Sequence, residues 1–134
     1  PKYDLTLAVT VSEALHHLQS RANGFDALVV DLRLPPGRQR EWIKLHQQLG
    51  RSGDPPRLGL YLLLKLYGID SLQQESNPPL PPIQQVGILS VDPWTAVQNP
   101  LEGINFNSQN YEQKQAGMSS QILLSLVERI TNGV

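Results

Sequence analysis

The stretch "GFDALVVDLRLPPG", residues 24–37, decides how the chain is read. Ala27, Leu28, Val29 and Val30 run directly into a carboxylate, Asp31, and Pro35 and Pro36 then turn the chain. An almost continuous Val- and Leu-rich run suits a strand covered on both faces, as in a parallel sheet. Such a strand delivers an acid to its own end. Asp31 is therefore either a chemical group or an ordinary turn acid, and the surrounding segments have to separate the two.

Upstream, "YDLTLAVTV" places Leu5, Leu7 and Val9 on one side and Thr6, Ala8 and Thr10 on the other, which predicts a strand. In "VSEALHHLQSRANG", Ala14, Leu15 and Leu18 have helical spacing, Ser12 is the expected cap, and Asn23-Gly24 is a stop signal. Strand, helix and strand in that order predict a βαβ unit with a right-handed crossover. Downstream, "GRQREWIKLHQQLG" offers Trp42, Ile43, Leu45 and Leu49 at helical offsets. "GLYLLLKLYG" is ambiguous by periodicity, and Leu60, Leu63, Leu64 and Tyr67 on one face favour a helix. "DSLQQESNPPLPP" reads as an extended loop. "IQQVGILSV" reads as a strand broken at Asp92-Pro93, and "EGINFNS" as a weaker one. "SSQILLSLVERITNG" carries a stripe of Ile122, Leu123, Leu126, Val127 and Ile130, which predicts a closing helix. Alternating strands and helices argue for an α/β fold.

The 134 residues suit one domain. A formal charge of −1 gives no electrostatic footprint for nucleic acid or an anionic membrane. The absence of cysteine removes disulfides, thiolate metal sites and cysteine nucleophiles. The apolar run at 60–64 is too short to span a bilayer, and no signal peptide opens the chain, so a cytoplasmic domain is expected. The first residue is Pro1 rather than Met, which suggests a piece of a longer protein.

"FDALVVDLRLP" resembles the third strand of a response-regulator receiver domain: a hydrophobic strand, Asp31, two residues, Leu34 and Pro35. "LAVTVSEALHHL" is similar to that family's second strand and helix, "VGILSV" to its fourth strand ending in a hydroxyl residue, Ser90, and "ILLSLVERI" to its last helix. The resemblance implies a doubly wound, mainly parallel, flavodoxin-like sheet of strand order 2-1-3-4-5, with chemistry at the carboxyl ends of its strands. It implies Asp31 as phosphoacceptor from a histidine kinase or phosphotransfer protein and Ser90 as the switch hydroxyl. Mg²⁺ would be held at Asp31 together with acids upstream of Pro1. The consequence would be a surface read by an output domain or another regulatory partner. A pseudo-receiver that works without phosphorylation is the other form of the same reading.

The sequence departs from that pattern at three places. Only Pro1 and Lys2 precede the second-strand candidate, so the first strand with its pair of acids is missing from the sequence given. No lysine followed by proline closes "INFNSQNY", and Lys114 lies beyond the place the motif predicts. An insertion or long loop occupies 37–58, with a Pro-rich loop at 76–82. A rival register removes the insertion by making "EWIKLHQQL" the third helix, "RLGLYLLLKL" the fourth strand and "QVGILSV" the fifth.

Other features carry less. Adjacent His16 and His17 point apart on a helix and cannot share an ion, and His46 is the only other histidine. Trp42 and Trp94 are either partner-surface anchors or core residues. "NPPLPP" is either a polyproline docking peptide or a stiff linker. No catalytic triad order, phosphate-binding glycine loop or metalloprotease motif occurs, so no independent enzyme activity is expected. The alternative function is a non-catalytic α/β interaction domain that binds a partner protein through 36–57.

Overall fold

A computed structural model of the chain describes residues 3–68, 78–115 and 120–132. Three strands, β1 (Leu28–Val30), β2 (Val86–Ser90) and β3 (Tyr111–Gln113), form one parallel sheet in that order. Leu28 lies opposite Val86, and Ile88 opposite Tyr111. Parallel neighbours need long crossovers. The chain supplies them as α2 (Arg40–Arg51) and α3 (Leu58–Tyr67) between β1 and β2, and α4 (Trp94–Gly103) between β2 and β3. α1 (Val11–Ser20) precedes the sheet and α5 (Gln121–Asn132) follows it.

Both faces of β2 are covered, and its sequence shows how. Successive residues of a strand point to opposite faces. Val86 and Ile88 enter the main core with Leu58, Leu62 and Leu63, while Gly87 lies under the Leu126 side chain of α5. Val86, Ile88 and Leu126 are all fully buried.

α3 is buried almost all round through Leu58, Leu60, Leu62, Leu63, Leu66 and Tyr67. Its residues include no β-branched side chain, and a leucine-rich segment of this length favours helix. The rival register, which needed a strand here, is overturned. Gly59 allows α3 to approach β1's exit closely: its N–H donates to Leu32 O at 3.0 Å, and a methyl group there would overlap the Asp31 carbonyl.

Several sequence expectations need correction. Residues 3–9 form no strand; Leu5, Leu7 and Val9 stand 76%, 79% and 55% exposed. Alternation without a neighbouring ladder leaves the backbone to water, so the expected βαβ unit here begins at its helix. The cap of α1 is Thr10, whose Oγ1 accepts from Glu13 N at 3.1 Å, with the Glu13 carboxylate accepting from Val9 N. Ser12 instead donates to Pro36 O at 2.8 Å and accepts from Gln39 N, fastening α1 to the loop after β1. "EGINFNS" is the end of α4 and a turn, with Asn105 at φ 61°, a conformation asparagine tolerates better than most residues. The third strand lies further on, at Tyr111–Gln113. α5 buries Leu126 and Ile130 from the expected stripe but leaves Leu123 exposed.

Within 37–58 the chain forms α2 and its flanking turns, burying Trp42 and Leu49. Of the Pro-rich segment, residues 76–77 lie outside the described residues. Pro78 and Pro81 are buried, and Tyr67 Oη donates to Pro81 O at 2.6 Å. Those two prolines are therefore packed within the fold and not presented as a docking peptide. Trp94 packs on Phe106 and edge-on against Tyr111, anchoring α4 to β3.

Candidate functional site

The carboxyl ends of the three strands converge on one rim. Asp31 follows the last residue of β1, Ser90 ends β2, and Lys114 follows β3. Lys114 N–H donates to Ser90 O at 2.6 Å, which fixes its backbone beside β2. Its side chain reaches across, placing Nζ 2.6 Å from Asp31 Oδ2. The other oxygen, Oδ1, accepts from Arg33 N at 3.0 Å in a local turn. Both side chains are 36% exposed, so the pair faces solvent without being lost in it.

Beside this pair lies a second, more buried carboxylate. Arg33 forks onto Asp92 through Nε and Nη2 at 2.9 and 2.7 Å. Arg57 adds an Nη2 contact at 3.2 Å to Oδ1, and its Nε lies 3.2 Å from Oδ2 but off the line of a hydrogen bond. Ser90 Oγ donates to Oδ2 at 3.3 Å and accepts from Asp92 N at 3.1 Å. Tyr111 Oη donates to Asp92 O at 2.6 Å. The Asp92 side chain is 5% exposed.

The electrostatics follow from these contacts. Hydrogen bonds from Arg33 hold the Asp92 carboxyl far below the usual carboxylate range; burial opposes them, and Arg57 adds to them. The same hydrogen bond raises Arg33, against desolvation, with further help from the charges of Asp92 and Asp31. Burial raises the Tyr111 phenol. Three cations, Arg33, Arg57 and Lys114, thus face two carboxylates.

The expected site residues are placed as follows. Asp31 stands at the end of a parallel strand, as read from the sequence. Ser90 stands at the end of the neighbouring strand, with its hydroxyl bonded into Asp92. Arg33, Arg57, Asp92 and Lys114 join the site without being expected there: Lys114 follows a strand that lies later than the sequence pattern predicts, and Asp92-Pro93 reads in sequence only as a break. Among the described residues no group of three or more His, Cys, Asp or Glu side chains converges, and both Asp92 oxygens are taken by arginine.

No helix among the described residues is long and apolar enough to cross a membrane. Comparison with known proteins finds no matching family model, no matching curated protein and no matching solved structure.

Proposed function

We propose that this chain is a receiver-like signalling domain that acts as a pseudo-receiver, regulating an output domain or protein partner without phosphorylation. In this reading β1, β2 and β3 take the third, fourth and fifth places of the order 2-1-3-4-5, and Asp31 takes the phosphoacceptor place. The observation that supports it most is the Asp31–Lys114 pair, which joins the ends of the two outer strands at 2.6 Å over the end of the strand between them.

The chemistry favours the phosphorylation-independent form. A carboxylate attacks a phosphoryl group only when the charge building up on the transferred oxygens is neutralised. Lys114 supplies one positive charge beside Asp31, and that charge is already spent on the carboxylate itself. Arg33 is engaged by Asp92. The pair then links the two outer strand ends across the rim, and the partner reads the surface around this link.

The test is intact mass after acetyl phosphate with Mg²⁺, alongside amide spectra of the Lys114→Gln variant. The expected mass is unchanged, and Lys114→Gln shifts the resonances of Asp31, Arg33 and Ser90. A gain of one phosphoryl group that Asp31→Asn abolishes replaces this form with a phosphorelay one. Undisturbed rim resonances in Lys114→Gln remove the link, and the reading built on it.

A further inference from the structure

The Asp92 cluster has features of a ligand site whose ligand is part of the chain. Its carboxylate receives the Arg33 fork, an Arg57 contact and the Ser90 hydroxyl, and it sits at the carboxyl rim of a parallel sheet. Anions dock at such rims in open α/β sheets. A guanidinium fork matches carboxylate and phosphate geometry alike. We propose that Arg33, Arg57 and Ser90 form a seat for a phosphate-type oxyanion, and that Asp92 fills it from within as an autoinhibitory plug.

The two arginines hold the plug unequally. Arg57 precedes α3 and its side chain is 19% exposed, whereas Arg33 follows β1 and is 37% exposed. Arg33 is the tooth that an external anion reaches first. Lys114, just past the end of β3, brings a third positive charge to the same rim. Asp92 leads through Pro93 into Trp94, the first residue of α4, and its carbonyl accepts from Tyr111 of β3. Displacing the carboxylate therefore loosens the start of α4 from β1 and α3. None of this depends on whether Asp31 is ever phosphorylated.

A tethered carboxylate competes at a high effective concentration, so free phosphate meets a nearly closed seat in the native chain. Removing the plug should open it. The experiment is calorimetric titration of the native chain and of Asp92→Ser with inorganic phosphate, at ionic strength held constant with chloride. Asp92→Ser should bind phosphate at least roughly tenfold more tightly than the native chain. Adding Arg57→Gln to that variant should abolish the gain. A folded Asp92→Ser that binds phosphate no better than the native chain overturns the proposal, as does a gain that survives Arg57→Gln. If Asp92→Ser does not fold in chloride, phosphate or formate at equal ionic strength should restore its circular dichroism by filling the seat. Failure of both anions to do so overturns the proposal equally.

Discussion

Lys114 Nζ lies 2.6 Å from Asp31 Oδ2 across 83 residues of chain, because the first and third strands end on the same rim. Both side chains are about a third exposed, so water and salt screen the pair. Exposed pairs contribute about 0.2–1 kcal/mol. Lys114→Gln should lower the unfolding midpoint by only a few degrees. In a double-mutant cycle with Asp31→Asn, the coupling should stay under about 1 kcal/mol and shrink in roughly 1 M salt. A larger coupling that salt does not reduce would place the pair in a drier site than its exposure indicates.

Asp92 should behave differently, because its side chain is 5% exposed and fully engaged. Removing one partner of a buried ion pair costs about 3–5 kcal/mol. Asp92→Asn should fall at or below the lower end, since Arg33 can turn toward solvent. Arg57→Gln should cost more than Arg33→Gln, following their 19% and 37% exposures. The pH dependence has a definite sign. The folded state holds the carboxyl below its unfolded value, so the stabilisation is complete above about pH 4 and is lost as pH falls further. Denaturant titrations should show the gap between native chain and Asp92→Asn constant from about pH 7 to 5 and narrowing below about 4. A gap that stays constant down to about pH 2.5 rejects the account.

Two glycines should respond in opposite directions to the same substitution. Gly59 meets the Asp31 carbonyl and Leu32 Cα, so Gly59→Ala must push α3 from β1's exit or distort the turn that carries Asp31. Overpacking of this kind costs about 1–3 kcal/mol. Gly50, inside α2, has nothing within 4 Å of an added methyl group, and Ala there gains up to about 1 kcal/mol of helix propensity. Thermal unfolding of the two variants should move apart, with Gly50→Ala above the native chain and Gly59→Ala below it. Similar shifts in both would mean that the close approach at Gly59 relaxes without cost.

What the sequence made legible, and what it hid, follows from the range of each signal. The run from Ala27 to Val30 ending in Asp31 carries its own explanation, because burial on both faces writes a continuous apolar stretch. The leucines of α3 and the "VGILS" of β2 are equally local. β3 is not: Tyr111–Gln113 is too short to show a period. Ile104 and Phe106 imitate a strand nearby, although their burial comes from the turn at Asn105. That misplacement hid Lys114. Asp92 and Arg57 are 35 residues apart, and no spacing rule announces a pair that meets only when the start of α3 is packed at the end of β2.

Tyr67 tests whether the Pro-rich segment is part of the fold. Its hydroxyl is buried and donates to Pro81 O at 2.6 Å, and burial raises the phenol well above its ordinary pKa. Tyr67→Phe leaves that carbonyl without its donor, at a cost of about 1–2 kcal/mol. Proteolysis within 78–82 should accelerate in the variant. If both stability and cleavage rate match the native chain, the hydrogen bond contributes nothing to holding the segment.

Leu5 and Leu7 separate sequence pattern from structure most directly. A paired strand with one buried face would make Leu→Ser at both positions costly, since burying each leucine is worth about 1.5–3 kcal/mol. At 76% and 79% exposure neither is buried in this chain. The double variant Leu5→Ser, Leu7→Ser should unfold within about 0.5 kcal/mol of the native chain, as surface substitutions do. Its solubility should rise, because two exposed apolar side chains leave the surface. A loss of several kcal/mol would instead show that the alternating segment pairs with a neighbour in solution and that its strand-like pattern is used.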